Sequence, residues 1–196
     1  MGGIVLLIIV AVLVAWVIVS YNGLIGLKNQ TLNAFKQIDV QLKRRHDLIP
    51  NLVNAVKGAM DFEKSTLEAV IQARNQAVKI NAGAAGPEAM KQVSQAENQL
   101  SGALSRLMVV MEQYPQLKAT GNIGQLQEEL TSTENRIAFA RQLYNDTATQ
   151  YNTKQQQFPT SVVAGIAKAQ PADLWEIEDQ AEKAVPQVDL SMKPRA

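Results

Sequence analysis

Residues 24–60 read LIGLKNQTLNAFKQIDVQLKRRHDLIPNLVNAVKGAM, and the placement of apolar side chains along this stretch decides the fold. Leu24, Leu27, Phe35, Ile38, Leu42, Ile49, Leu52, Val56 and Met60 recur at intervals of three, four, seven or eight, and Leu67, Val70 and Ala77 continue the series. That period is the signature of one helical face. The spacing predicts a helix over residues 22–80, about 90 Å long. Pro50 falls inside it, where a proline removes a backbone donor, clashes with the preceding turn and costs about 3 kcal/mol. Either a new helix starts here, capped by Asp47 with Pro50 in its first turn, or one kinked helix continues through. The continuous helix is the favoured expectation.

Toward the N terminus, residues 4–19 are uninterrupted apolar sequence, IVLLIIVAVLVAWVIV, and no charged side chain precedes Lys28. At 1.5 Å per residue, residues 1–20 extend about 30 Å, the thickness of the hydrocarbon layer. Thirteen of them are Ile, Val or Leu, so insertion is favourable by about 4–6 kcal/mol. Ile4, Val5, Leu6, Leu7, Ile8, Ile9, Val10, Leu13, Trp16 and Ile18 are the expected membrane-spanning residues. A cleaved secretory signal would need a basic start and a small-x-small cleavage site. Neither is present, and the segment reads as an uncleaved anchor. Lys28, Lys36, Lys43, Arg44 and Arg45 all follow the span, an asymmetry that places the large domain on the cytoplasmic side. Trp16 and Tyr21 suit an interfacial aromatic belt.

Toward the C terminus, Asn81 to Pro87 contains two glycines and a proline and closes the first helix. A second helix carries Met90, Val93, Leu100, Leu104, Leu107, Met111 and Tyr114 and stops at Pro115. A third carries Leu126, Leu130, Ile137, Ala140, Tyr144, Ala148, Tyr151 and Phe158 and stops at Pro159. Pro171 is expected to open a short amphipathic helix with Leu174, Trp175, Ile177 and Ala181 on one side, ended by Pro186. The chain thus divides into an anchor at 1–20, a long-helix antiparallel bundle at 21–158 and a C-terminal segment at 159–196. The fold class is all-α, an N-terminal transmembrane helix followed by an up-and-down bundle with a long first helix. The second and third helices, about 40 and 50 Å long, are too short to cover the first. The stripe of Leu24, Leu27, Phe35, Ile38 and Leu42 is therefore a candidate self-association surface, with a second copy as its partner.

Composition limits the chemistry. The 196 residues hold 19 Lys plus Arg against 18 Asp plus Glu, one His and no Cys. Near-neutral charge argues against nucleic acid as a partner, and the absence of Cys excludes thiol nucleophiles, disulfides and thiolate metal sites. A di-iron bundle would need Glu-x-x-His on two helices, whereas Lys43 stands three before the sole His46. No phosphate-binding glycine motif is present. No cofactor or metal is expected, and the chain reads as a non-enzyme. The basic run Lys43, Arg44, Arg45 lies about 35 Å beyond the span, far outside a Debye length of about 8 Å from its own bilayer. Its expected role is pairing with acids of the third helix, Glu128, Glu129 and Glu134, or with an acidic partner. Glu134 and Arg141, two turns apart, are expected to pair across to Arg45, Glu63 or Arg74, fixing register more than adding stability.

Long blocks of the chain resemble the LemA family. They are Asn33-Ala-x-x-Gln-Ile-Asp-Val-Gln-Leu-Lys-Arg-Arg-His-Asp-Leu-Ile-Pro-Asn-Leu52, Ala96-Glu-Asn-x-Leu-Ser-Gly-Ala-Leu104, Tyr114-Pro-x-Leu-Lys118 and the run from Gln125 to Arg141, with Tyr144-Asn-Asp, Tyr151-Asn-Thr and Phe158-Pro159. The resemblance implies a short N-terminal tail, one membrane helix and a soluble antiparallel bundle. It brings no established catalytic activity, and a member involved in forming magnetosome membranes suggests a membrane-organising role. The expected function is a single-pass protein of the bacterial inner membrane that self-associates or scaffolds envelope membrane-protein partners. The alternatives are an adaptor or regulator of a membrane protease or other envelope enzyme and, less favoured, an enzyme built on carboxylates and arginines.

Overall fold

The computed structural model describes residues 1–59, 64–83, 89–114 and 121–176. Among them the regular structure is helical throughout: α1 (Gly2–Ala59), α2 (Lys64–Gly83), α3 (Met90–Glu112), α4 (Gly121–Gln156) and α5 (Thr160–Ile166). Met60, Glu63, Gly86, Pro87, Pro115, Thr120 and everything from Ile177 onward lie outside the described residues.

The first helix begins in the apolar run and continues unbroken through Pro50, as 58 residues and about 87 Å of one helix. Continuity at Pro50 has a specific support. A proline at position 50 cannot donate to the carbonyl four residues back, which belongs to His46. Arg74 of α2 donates its Nε–H to that carbonyl at 3.2 Å. The orphaned acceptor is thus satisfied from a neighbouring helix.

The expected helix over residues 22–80 is corrected at Ala59. The chain ends α1 there, with Lys57 in its last turn to complement the helix dipole, and α2 runs from Lys64. Residues 24–59 number 36, and α4 is also 36 residues long. The two are therefore matched, and α4 lies antiparallel along α1. This overturns the argument from unequal lengths. Leu24, Ile38 and Leu42 are buried inside the chain with Ile137, Ala140, Tyr144, Ala148 and Tyr151 of α4, and Leu27 and Phe35 are half-buried on the same cluster. The stripe needs no second copy to cover it.

Burial falls into two layers along the bundle. In the membrane-distal layer, Ile49, Leu52, Val53 and Val56 of α1 pack with Leu67, Val70 and Ala77 of α2, Leu100, Leu104, Leu107 and Met111 of α3, and Ile123 and Leu130 of α4. This is a four-helix, up-down-up-down arrangement, the solution that buries one apolar face of each helix. In the membrane-proximal layer, α1 and α4 are closed by α5 and by residues 169–176, with Ala164, Ala172 and Trp175 in the core, together with Met90 and Val93 at the start of α3.

Residues 169–176 form a strap without regular secondary structure, which corrects the amphipathic helix expected from Pro171 as far as Glu176. Their backbone is held by side-chain amides of α4. Asn152 donates to the Ala172 carbonyl and accepts from the Ala172 N–H, both at 2.8 Å. Asn145 does the same to Trp175, at 3.1 and 2.8 Å. The spacings agree: seven helical residues rise about 10.5 Å, and three extended residues cover about 10 Å. Each asparagine plays the part of a neighbouring strand.

Candidate functional site

The polar centre of the molecule lies between the two layers, where α1, α2, α3 and α4 meet. Arg45, fully buried on α1, sends Nη2 to Oε2 of Glu97 on α3. Its Nη1 donates to Oε1 of Glu134 on α4 at 2.6 Å and to Oγ of Ser101 at 2.9 Å. Glu97, equally buried, accepts a further bond from Asn81 of α2 at 2.8 Å, and its Oε1 lies 2.9 Å from His46 Nε2. One guanidinium therefore ties three helices together, and Glu97 collects contacts from three side chains. Burial pushes the Glu97 carboxyl up, but the His46 hydrogen bond and the charges of Arg45 and His46 outweigh that and hold its pKa below the ordinary glutamate value.

The contacts of this cluster join α1, α2, α3 and α4. Glu97 is stabilised as an anion by a charge-assisted bond to Arg45, which spends its basicity. Among the described residues, no grouping of His, Cys, Asp and Glu could hold a metal ion. A shallow cleft of about 350 Å³ opens beside His46, lined by Asp39, Lys43, Asp47, Arg74, Val78, Asn81 and Ala82. Its mixed charges favour no one ligand sign.

The sequence-expected pairing residues are distributed as follows. Arg45 meets Glu134 across α1 and α4, and Arg44 faces Glu129 at 3.7 Å on the surface with both side chains about half exposed. Lys43 lines the cleft near His46. Arg141 stacks its guanidinium over the Trp175 ring, 4.2 Å from the centroid. Glu97 and Asn81 were not singled out by sequence reasoning. The signal was present for Glu97, which occupies a core position in the α3 series Val93, Glu97, Leu100, Leu104. An acid on an apolar stripe requires a buried cation opposite.

Two exposed surfaces bear on function. Along the outer seam of α1 and α4, a groove of about 600 Å³ is lined by Lys36, Gln37, Val40, Gln41, Ser132 and Phe139, among others. Val40 is 63% and Phe139 70% exposed at its centre. The other surface is the N-terminal span. Ile4, Val5, Leu6, Leu7, Ile8, Ile9, Val10, Leu13 and Ile18 are all exposed and Trp16 is half-buried. The helix of which they form part is long and apolar enough to cross a membrane.

Curated relatives include the magnetosome protein MamQ 2 of Paramagnetospirillum magneticum, 24% identical over 85% of this chain and 68% of the relative. Protein LemA of Metamycoplasma hominis is 28% identical over 86% of this chain and 72% of the relative. The magnetosome protein MamQ of Magnetospirillum gryphiswaldense is 24% identical over 76% of this chain and 62% of the relative. Residues 34–190 match the LemA family, a span that takes in the Arg45 cluster, the α1–α4 seam and the C-terminal strap, and the chain belongs to that family.

Proposed function

We propose that this protein is a membrane-anchored, non-enzymatic scaffold that organises copies of itself or partner proteins at the bacterial envelope. The observation that carries this reading is the unbroken α1: the helix that spans the membrane is also the core of the bundle. A bundle built on its own anchor holds its surfaces at fixed heights above the bilayer. The relatives named as magnetosome proteins support a role in membrane organisation. In this reading the anchor lies in the inner membrane, and the basic residues that trail the span support a bundle on the cytoplasmic side.

With the Leu24 to Leu42 stripe buried and Arg45 enclosed, neither is offered to a partner. The groove at Val40 and Phe139 is the surface the scaffold presents. In-cell crosslinking of the full chain, followed by identification of bound chains, tests the reading. Copies of the chain or a defined envelope membrane protein should be recovered, and Phe139→Glu should remove them without changing helicity. Recovery of the monomer alone would sink the scaffold. A single Cys introduced at exposed Asn122 should resist an impermeant thiol reagent in intact cells; labelling would reverse the orientation.

A further inference from the structure

We propose that the corner joining α4 to α5 is a second membrane contact, which seats the bundle in the interfacial layer of the leaflet from which α1 emerges. The antiparallel register sets its height. Arg45 is bonded to Glu134, and Gln156 lies 22 residues beyond Glu134 on α4, which brings it level with Gly23 of α1. Gly23 is four residues past Val19, the end of the apolar run, and so about 6 Å outside the hydrocarbon. The headgroup layer on each side is about 5–7 Å deep. The end of α4 and the helix that follows it lie in that layer.

The side chains suit the place. Helix α5 packs on both α1 and α4 and buries Thr160, Val163 and Ala164 against them. Its opposite face, with the turn before it, presents Phe158 at 84%, Val162 at 54% and Ile166 at 79% exposure. No charged residue occurs between Lys154 and Lys168, and both of these are exposed. Tyr21, exposed on α1, stands at the same height. Three large apolar side chains clustered on one face mark an interaction surface. Because α5 packs on α1 beside the end of the span and the medium there is headgroup and upper acyl chain, the occupant is lipid. The flanking lysines meet anionic headgroups there. The contact makes the bundle stand on two points, so that it cannot swing about the end of α1.

The inference rests on α1 spanning the bilayer, and site-directed fluorescence separates the two. The chain has no native Cys, so V162C, I166C, L13C and V40C can each carry one bimane group in the full chain. The proteins are placed in nanodiscs of equimolar phosphatidylcholine and phosphatidylglycerol, with or without nitroxide-labelled lipid. At positions 162 and 166, shallow nitroxides should remove about half of the emission, as for a face buried about 5–10 Å at the headgroup boundary. Aqueous iodide should have little effect at either position. Position 40 should respond only to iodide and position 13 only to deep nitroxides. Quenching of positions 162 and 166 by iodide, with lipid quenching retained at position 13, overturns the corner contact and leaves the anchor intact. Protection from iodide without lipid quenching assigns the face to protein and overturns it equally. Loss of lipid quenching at position 13 overturns the anchor and the corner together.

Discussion

Glu97 is a carboxylate kept ionised in a place where burial alone would neutralise it, and its partners show why. Arg45, His46 and Asn81 come from two other helices and converge on its two oxygens. Removing the cation should expose the cost of that arrangement. Arg45→Met leaves Glu97 buried and Glu134 half-buried without their shared partner, and a broken buried pair costs about 3–5 kcal/mol. Thermal and urea unfolding of the detergent-solubilised chain would measure it, and a loss under about 1 kcal/mol would show that the cluster contributes little. The pH dependence has a definite sign. A carboxyl whose folded pKa is depressed contributes stability that is fully present above its unfolded pKa of about 4.3. That contribution is lost as pH falls through the lower folded value. The wild type should therefore lose stability below about pH 4 more steeply than Glu97→Gln, which starts weaker but lacks this term. Parallel acid titrations of the two would contradict the assignment.

At the scale of elements, two long-range devices hold segments whose local sequence does not determine their state. Arg74 supplies the donor that Pro50 lacks, across 28 residues of sequence. Arg74→Met should cost about 1–3 kcal/mol by leaving the His46 carbonyl unsatisfied. In a Pro50→Ala background the residue 50 N–H returns to that carbonyl, and the Arg74→Met penalty should shrink by about 1 kcal/mol or more. An unchanged penalty would show that Arg74 acts by other contacts. The strap is the second device. Its non-helical form is held by Asn145 and Asn152, which lie 20 to 30 residues upstream, whereas its own spacing of Leu174, Trp175 and Ile177 reads as a helix. Asn145→Ala should release Trp175 from the core and red-shift its emission, measured with Trp16→Phe as background; no shift would mean that packing with Arg141 suffices.

For the whole molecule, the layered core explains what could and could not be read from the sequence. α3 and α4 end at Glu112 and Gln156, short of the expected stops at Pro115 and Pro159, and Phe158 is exposed beyond the end of the α4 stripe. As elements both were legible, because proline and glycine punctuate a clear apolar period there. The reversal after Ala59 was not, since both arms of a helical hairpin need an apolar face and Val56, Leu67 and Val70 keep one phase across it. The Arg45 to Glu134 pair was legible from charge, whereas Glu97 as the hub required knowing that α3 faces both. That hub lies between a distal layer made by four helices and a proximal layer whose third wall is α5, the strap and the first turn of α3. Beside Met90 and Val93 of α3, α5 and the strap contribute few buried side chains, chiefly Val163, Ala164, Ala172 and Trp175. Regions with little buried apolar contact open first. Ending the chain at Gln170 should therefore raise amide exchange in residues 24–42 and 137–151 while residues 100–111 keep their protection. A uniform rise across both layers would show that α1 and α4 couple them into one cooperative unit. A rise confined to the proximal layer would place the protein's adjustable half against the membrane and its rigid half away from it.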